Sequence, residues 1–316
     1  MVNILILLWV KPLSKKTVSD LLKVLLSGAT GFIGSRLVER LVRRDASVTC
    51  LVRSGEIPNP KVKSIRGDLT YPDFVFSDEY DVVYHLAAAW PGEKDKKIQR
   101  KVNYDGSVNL FSKVRDKTKF FVYISGLGAF GDPKGKTIDE SFPLNPNTYY
   151  AKIRLGAQKF LEECCKEQGI PFTVAYLGDV YGNGGWFKSI MVDRLRKGSF
   201  RMPGSGKYYR SFIHVDDAVS AIISIAEKNA TNQSFIVTDS KPVGFEEFVN
   251  FVCEKLRVKP PGTIPTFLAK AILGSDFVNL LTTSTKTSNA KILKICDFVY
   301  PSFKEGITSL MSEIKL

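Results

Sequence analysis

Residues 23–34 read KVLLSGATGFIG, and this stretch decides the fold. Lys23–Ser27 is a short apolar run of strand character. Gly28-Ala29-Thr30-Gly31-Phe32-Ile33-Gly34 follows it directly as GxxGxxG. Phe32, Ile33, Leu37 and Leu41 then recur on one helical face across 32–44. Strand, glycine turn and helix in that order make a phosphate cradle. The first glycine permits a tight turn, the second removes a side chain where a pyrophosphate must come close, and the third lets the helix pack against the sheet. The helix N-terminus offers free N–H groups and the positive end of its macrodipole. A lone glycine motif is weak evidence, but this context predicts dinucleotide binding by Gly28, Thr30, Gly31, Phe32, Ile33 and Gly34. The alternative is a purely structural turn.

The same rhythm continues outward. Strand patterns fall at 48–53, 62–66, 81–85, 120–125, 172–176 and 234–237, and helical patterns at 98–114, 149–168, 215–227, 245–256, 265–273 and 302–314. Continuous apolar strands separated by helices predict an α/β fold: a doubly wound parallel sheet of Rossmann type, with a smaller C-terminal α/β substrate lobe. The expected organisation is an extension at 1–22, a dinucleotide-binding domain at 23–180, and a mainly substrate-binding lobe at 181–316 whose segments around 210–240 return to the first domain.

Length and composition bound the rest. The 316 residues are enough for about two domains of ~150 residues. With 44% hydrophobic and 24% charged residues, the chain is neither disordered nor fibrous. Lys+Arg 45 less Asp+Glu 32 gives +13, which favours anionic partners such as nucleotides or acidic lipids. The preferred reading is a lysine-rich soluble surface; no nucleic-acid signature accompanies the charge, and no such partner is expected. Cys50, Cys164, Cys165, Cys253 and Cys296 are odd in number and lack CxxC spacing. Free thiols in a reducing, cytoplasmic compartment follow. With only His85 and His214 besides, no metal site is expected. The apolar run MVNILILLWV at 1–10 is shorter than the ~20 residues a membrane span needs and has no basic segment before it. It reads as an added strand or helix or a start codon placed too early; a weak anchor is the minor alternative, and membrane contact is not expected.

The end of the second strand selects the cofactor. An acidic residue there would bind the ribose hydroxyls of NAD. The chain has Leu51-Val52-Arg53-Ser54 instead. The planar fork of Arg53 pairs with a 2′-phosphate, and Ser54 adds a hydroxyl, so NADP is favoured over NAD. The alternative is an exposed Arg53 at a site that tolerates NAD. Asp68-Leu69 stands where the adenine ring would lie.

Taken together, the sequence resembles the extended branch of the short-chain dehydrogenase/reductase superfamily, the NAD(P)-dependent epimerase/dehydratase group, from about Lys23 to the C-terminus. The landmarks are GATGFIG at 28–34, Gly67-Asp68-Leu69, His85-Leu86-Ala87-Ala88, Val102-Asn103 with Gly106, Tyr181-Gly182, and RSFIHVDD at 210–217. They are specific for the branch and for no substrate. The resemblance implies that Leu86, Ala87, Ala88 and Asn103 lie beside the cofactor.

It also implies hydride transfer at a hydroxyl or carbonyl carbon, with a tyrosine as acid/base, a lysine four residues later and a Ser/Thr orienting the substrate oxygen. Those positions are Tyr150, Arg154 and Gly126, with Ser125 beside the last, and Gln158 stands where a glutamate is usual. Ser125, Tyr150 and Arg154 are therefore the catalytic candidates, the latter two also touching the cofactor. Arg154 keeps the positive charge with a different reach. Tyr149 with Lys152 is the alternative pair. Two functions remain open: a divergent enzyme, and a dinucleotide-binding sensor or structural subunit.

On the substrate side, Gly204-Ser205-Gly206 followed by Arg210 resembles the segment that contacts the diphosphate of nucleotide sugars, with Lys207 assisting. The alternative pairs Arg210 with Asp216 or Asp217. The family also includes reductases of steroid-like carbonyls, which lack a diphosphate. Trp186, Phe187, Tyr208 and Tyr209 suit either ring type, and Trp90 borders the cleft. The resemblance further implies a homodimer through the helices at 98–114 and 149–168.

Overall fold

Seven apolar segments build one parallel sheet in a computed structural model that describes residues 22–314. They are β1 (Lys23–Ser27), β2 (Ser47–Val52), β3 (Val62–Arg66), β4 (Val82–His85), β5 (Phe121–Gly126), β6 (Phe172–Leu177) and β7 (Gln233–Val237). The order is β7-β6-β5-β4-β1-β2-β3, and every neighbouring pair is parallel. The chain reverses direction of build-up between β1 and β4, which opens a crevice at the strands' carboxyl ends, where ligands of such sheets bind. The predicted fold class therefore holds. The extension expected at 1–22 lies, but for Leu22, outside the described residues.

Both faces are covered. One apolar layer joins α1 (Phe32–Arg43) to the sheet, and a later helix, Val215–Glu227, packs on it too. On the other face, α2 (Lys96–Arg100) runs through a π-helical turn, Lys101–Asp105, into α3 (Gly106–Val114), and α4 (Tyr149–Glu167) lies beside it. The single helix expected at 98–114 thus contains a widened turn, a feature frequent at functional sites. The helix at 215–227, α6, follows a short α5 (Asp193–Arg196).

The C-terminal lobe has its own core around Phe212, Phe248 and Phe303, with Phe212 and Phe248 stacked at 3.8 Å. It comprises α7 (Phe245–Leu256), α8 (Thr266–Leu273), α9 (Ser275–Thr282) and α10 (Phe303–Glu313). The sequence reading did not separate out α9, and it proves to be the element that reaches the site. All five cysteines are free. Among the described residues no helix is long and apolar enough to cross a membrane, and no cluster suited to a metal ion occurs.

Candidate active site

The glycine turn connects β1 to α1 as its sequence dictates. Gly28 has φ +80°, and a Cβ there would stand 2.7 Å from the Ala87 nitrogen. A Cβ on Gly34 would lie 2.0 Å from the Gly28 carbonyl oxygen, so the third glycine serves the turn itself rather than the contact of helix with sheet. Gly31 caps α1 without any side-chain hydrogen bond, and the first turn holds no acidic residue. The first-turn amides of α1 are thus left for an outside acceptor. Thr30 and Gly31 are exposed at the turn's tip. Phe32 turns elsewhere: its ring packs against Gly182, Gly184 and Gly185 and pins that loop over the turn.

A buried polar chain fixes the loop after β4. Ser27 Oγ lies 2.5 Å from His85 Nδ1, His85 Nε2 lies 2.8 Å from Ser107 Oγ, and the Ser107 hydroxyl donates to the Asn103 carbonyl at 2.8 Å. Because that hydroxyl is spent as a donor, it accepts from His85 Nε2–H, and Nδ1 accepts from Ser27. Burial, with the Arg154 charge adding, holds His85 down to about 3, so the ring is neutral. Asn103 Oδ1 takes the Ala89 amide at 3.0 Å, while its buried Nδ2 has no partner. Leu86 and Ala87 are half-buried here and Ala88 is exposed.

The adenine side is more open. Arg53 and Ser54 lie just past β2, both exposed, and among the described residues no carboxylate pairs with Arg53. Asp68 Oδ1 accepts the Thr70 amide at 2.8 Å, closing a local turn. The Leu69 side chain is buried, facing Gly106, and its carbonyl accepts from Asn109 Nδ2 at 2.7 Å, which leaves the backbone amide for a ligand.

The start of α4 carries the proton-transfer candidates. Alternation along β5 puts Phe121 and Tyr123 in the layer shared with α4, and Val122 and Ile124 in the opposite one. Ser125, 7% exposed, follows Tyr123's parity toward α4, whereas Gly126 follows Ile124's. Arg154 is also 7% exposed. Its Nη2 donates to the Ile124 carbonyl, and its guanidinium lies 5.2 Å from the Tyr123 ring centre and 5.9 Å from that of Tyr150. Burial opposes the Arg154 charge, yet the phenols of Tyr123 and Tyr150 raise its pKa overall, and it is a cation without a carboxylate partner among the described residues. Tyr149 faces differently, donating its hydroxyl to the Lys96 carbonyl at 3.3 Å under the Lys96 ammonium. Gln158 donates to the Tyr176 hydroxyl at 2.7 Å.

Asp276, on α9, was missed by sequence reading. Its two carboxylate oxygens accept the amides of Tyr149, at 2.9 Å, and Tyr150, at 3.1 Å. Thr148 caps the Ala151 amide next to them. The Gly274-Ser275-Asp276 run is a helix-start pattern that could have located α9, but not the target of its carboxylate.

Arg210, expected to meet a diphosphate, is engaged within the protein. Its Nε and Nη2 grip Asp179 at 2.5 and 2.6 Å, and Nη1 donates to the carbonyls of Leu280, Leu281 and Thr283 at 2.9, 3.1 and 3.3 Å. Nor does it pair with Asp216 or Asp217, because Asp217 is engaged by the Val299 and Tyr300 amides. Trp186 and Phe187, offered to a ligand ring, belong instead to the lobe's core; Tyr208 stacks on Phe245, and Tyr209 lies under Lys286. Trp90 is 54% exposed and leans on Phe277 of α9 with ring centres 5.1 Å apart.

The chain is similar to several known proteins. A 3-diazoavenalumate denitrifying reductase from Streptomyces is 27% identical over 305 residues, covering 90% of this chain and 99% of the relative. UDP-glucose 4-epimerase of Thermotoga maritima, solved with UDP-glucose, superposes with TM-score 0.78 at 20% identity over 92% of this chain and 98% of that one. A human epimerase family protein solved with NADPH does so with TM-score 0.78 at 17% identity, over 93% and 100%. The profile of the NAD-dependent epimerase/dehydratase family matches residues 24–237, spanning the glycine turn, all seven strands and the Tyr150 helix. The chain belongs to the NAD-dependent epimerase/dehydratase family of nicotinamide-dependent enzymes.

Proposed function

We propose that the chain is an NADP-dependent oxidoreductase in which Tyr150 exchanges a proton with the oxygen of a small hydroxyl or carbonyl substrate. The observation that carries this reading is the start of α4: a tyrosine with a buried cation, lacking a carboxylate partner among the described residues, 5.9 Å from its ring, beneath the carboxyl end of β5. The residues fit a nicotinamide dinucleotide. The uncapped amides of α1 and the cradle emptied of Cβ atoms at Gly28 suit its pyrophosphate, and the orphaned Nδ2 of Asn103 is a donor awaiting an acceptor. Arg53 and Ser54 would hold a 2′-phosphate, and Asp68 and the Leu69 backbone would meet the adenine. When bound, the nicotinamide gives or takes the hydride.

The protein's own part is proton transfer and positioning. Arg154, anchored on the Ile124 carbonyl, keeps a positive charge near the phenol and stabilises any negative charge that develops on it or on the substrate oxygen. Ser125, on the α4 side of β5, orients that oxygen in place of the hydroxyl that Gly126 lacks. The same reading takes the protein to be a cytoplasmic homodimer joined through α3 and α4. The experiment is Tyr150→Phe assayed for NADPH binding and for hydride transfer. Retained binding with kcat lowered by about 100-fold or more is expected. Tight binding with no turnover by the wild type on any substrate, and no change in Tyr150→Phe, would favour the sensor reading.

A further inference from the structure

We propose that the substrate is an uncharged carbonyl or secondary-alcohol compound, and that Asp179 excludes nucleoside-diphosphate substrates by locking Arg210 in a closed ion pair. This rests on the hydride-transfer reading above and adds a substrate class to it. The Arg210 side chain is 11% exposed, and all three of its nitrogens are engaged. Its forked edge already holds a carboxylate, in the two-point geometry that a phosphate would adopt. Its remaining nitrogen caps the carboxyl-terminal end of α9 through the Leu280, Leu281 and Thr283 carbonyls. A diphosphate arriving here would have to expel Asp179, lie against that freed carboxylate, and uncap α9 at the same time. Each step is unfavourable in a partly buried place, where like charges are poorly screened.

Within the cleft wall itself no substitute cation stands among the described residues, and the neighbouring Lys286 is held over the Tyr209 ring. The cleft beside Arg210 is lined by neutral groups, among them Leu127, Gly128, Asn147, Ser211, Leu280 and Thr285, and Arg210 is the one charge on its wall among the described residues. At the other end of α9 stands a second carboxylate, Asp276, on the amides of Tyr149 and Tyr150. Lys94 and Lys96 are engaged as well, the first on the Ile272 carbonyl and the second over the Tyr149 ring. Apolar surface is what α9 offers instead: Phe277 carries the exposed ring of Trp90, and Leu280 abuts Gly128 beside Ala151. A flat apolar ketone can use these contacts without paying to dehydrate phosphate charge.

The test titrates the full-length protein, loaded with NADPH, with 1-tetralone as the uncharged probe and with UDP-glucose and UDP as the diphosphate probes. 1-Tetralone is expected to bind more tightly than UDP-glucose. Asp179→Asn, which releases the Arg210 fork, is expected to tighten UDP binding by about tenfold or more. Tighter binding of UDP-glucose by the wild type, or no gain in UDP affinity in a folded Asp179→Asn protein, overturns the proposal. Should that variant not fold, the wild-type comparison of the two ligands decides alone. Failure to bind NADPH at all would instead refute the underlying function, so the two failures are distinguishable.

Discussion

Replacing Asp276 by alanine removes a side chain through which α9 holds the start of α4. Its carboxylate serves the Tyr149 and Tyr150 amides, two of the four N–H groups that a helix start leaves without internal partners. Losing a capping side chain costs about 0.5–2 kcal/mol, and losing a negative charge at a helix N-terminus adds about 0.3–1 kcal/mol. Asp276 is only half-buried, so water replaces part of the bond energy, and Thr148 still caps Ala151. A total near 2 kcal/mol results, which at about 2.1 cal/mol/K per residue lowers Tm by roughly 3 °C for a chain of 316 residues. Thermal denaturation reads the stability, and steady-state kinetics read the site. Because one of the two amides belongs to Tyr150 itself, kcat should fall about 10-fold while NADPH affinity stays within about twofold. Asp276→Asn keeps an acceptor but no charge and should recover about half the lost stability. An Asp276→Ala protein with unchanged Tm and unchanged kcat would refute the reasoning, because the carboxylate would then neither cap nor position α4.

Three further outcomes are expected. Gly34→Ala should abolish NADPH binding and cost about 3 kcal/mol or more in urea unfolding, because its Cβ would stand 2.0 Å from the Gly28 oxygen, a backbone atom that cannot step aside. Arg53→Ala should weaken NADPH binding by about 10- to 100-fold in a fluorescence titration and leave NADH unaffected, as expected of one charge-assisted contact to a 2′-phosphate; an equal loss for both would remove Arg53 from that role. Asp239 is buried with one oxygen unpartnered; burial pushes it up to about 8, with Glu305 and Asp217 adding to the shift against the Lys241 amide. Its folded pKa is raised, so its stabilising contribution is complete at low pH and is lost as pH climbs through about 8, by at most about 1.4 kcal/mol per pH unit. His85, held down to about 3, acts in the opposite sense below about 6.5, so stability measured between pH 6.5 and 8 should fall in the wild type and stay level in Asp239→Asn.

What the sequence alone determined is what depends on near neighbours. A glycine's freedom at residue 28, an apolar run of strand length and a helical stripe from Phe32 to Leu41 are local properties, so the turn, the strands and the cofactor class could be read from the letters. Parity along β5 likewise placed Ser125 and Gly126 on opposite faces, though which face meets α4 required the sheet to be packed. The tertiary structure decided every contact between distant charges. Arg210 is 31 residues from Asp179 and about as suited, by type, to a phosphate or to Asp216; Asp276 lies 127 residues from Tyr149. An ion pair's identity depends on where two chain segments meet in space and how much water is excluded there, and no residue pattern carries either quantity.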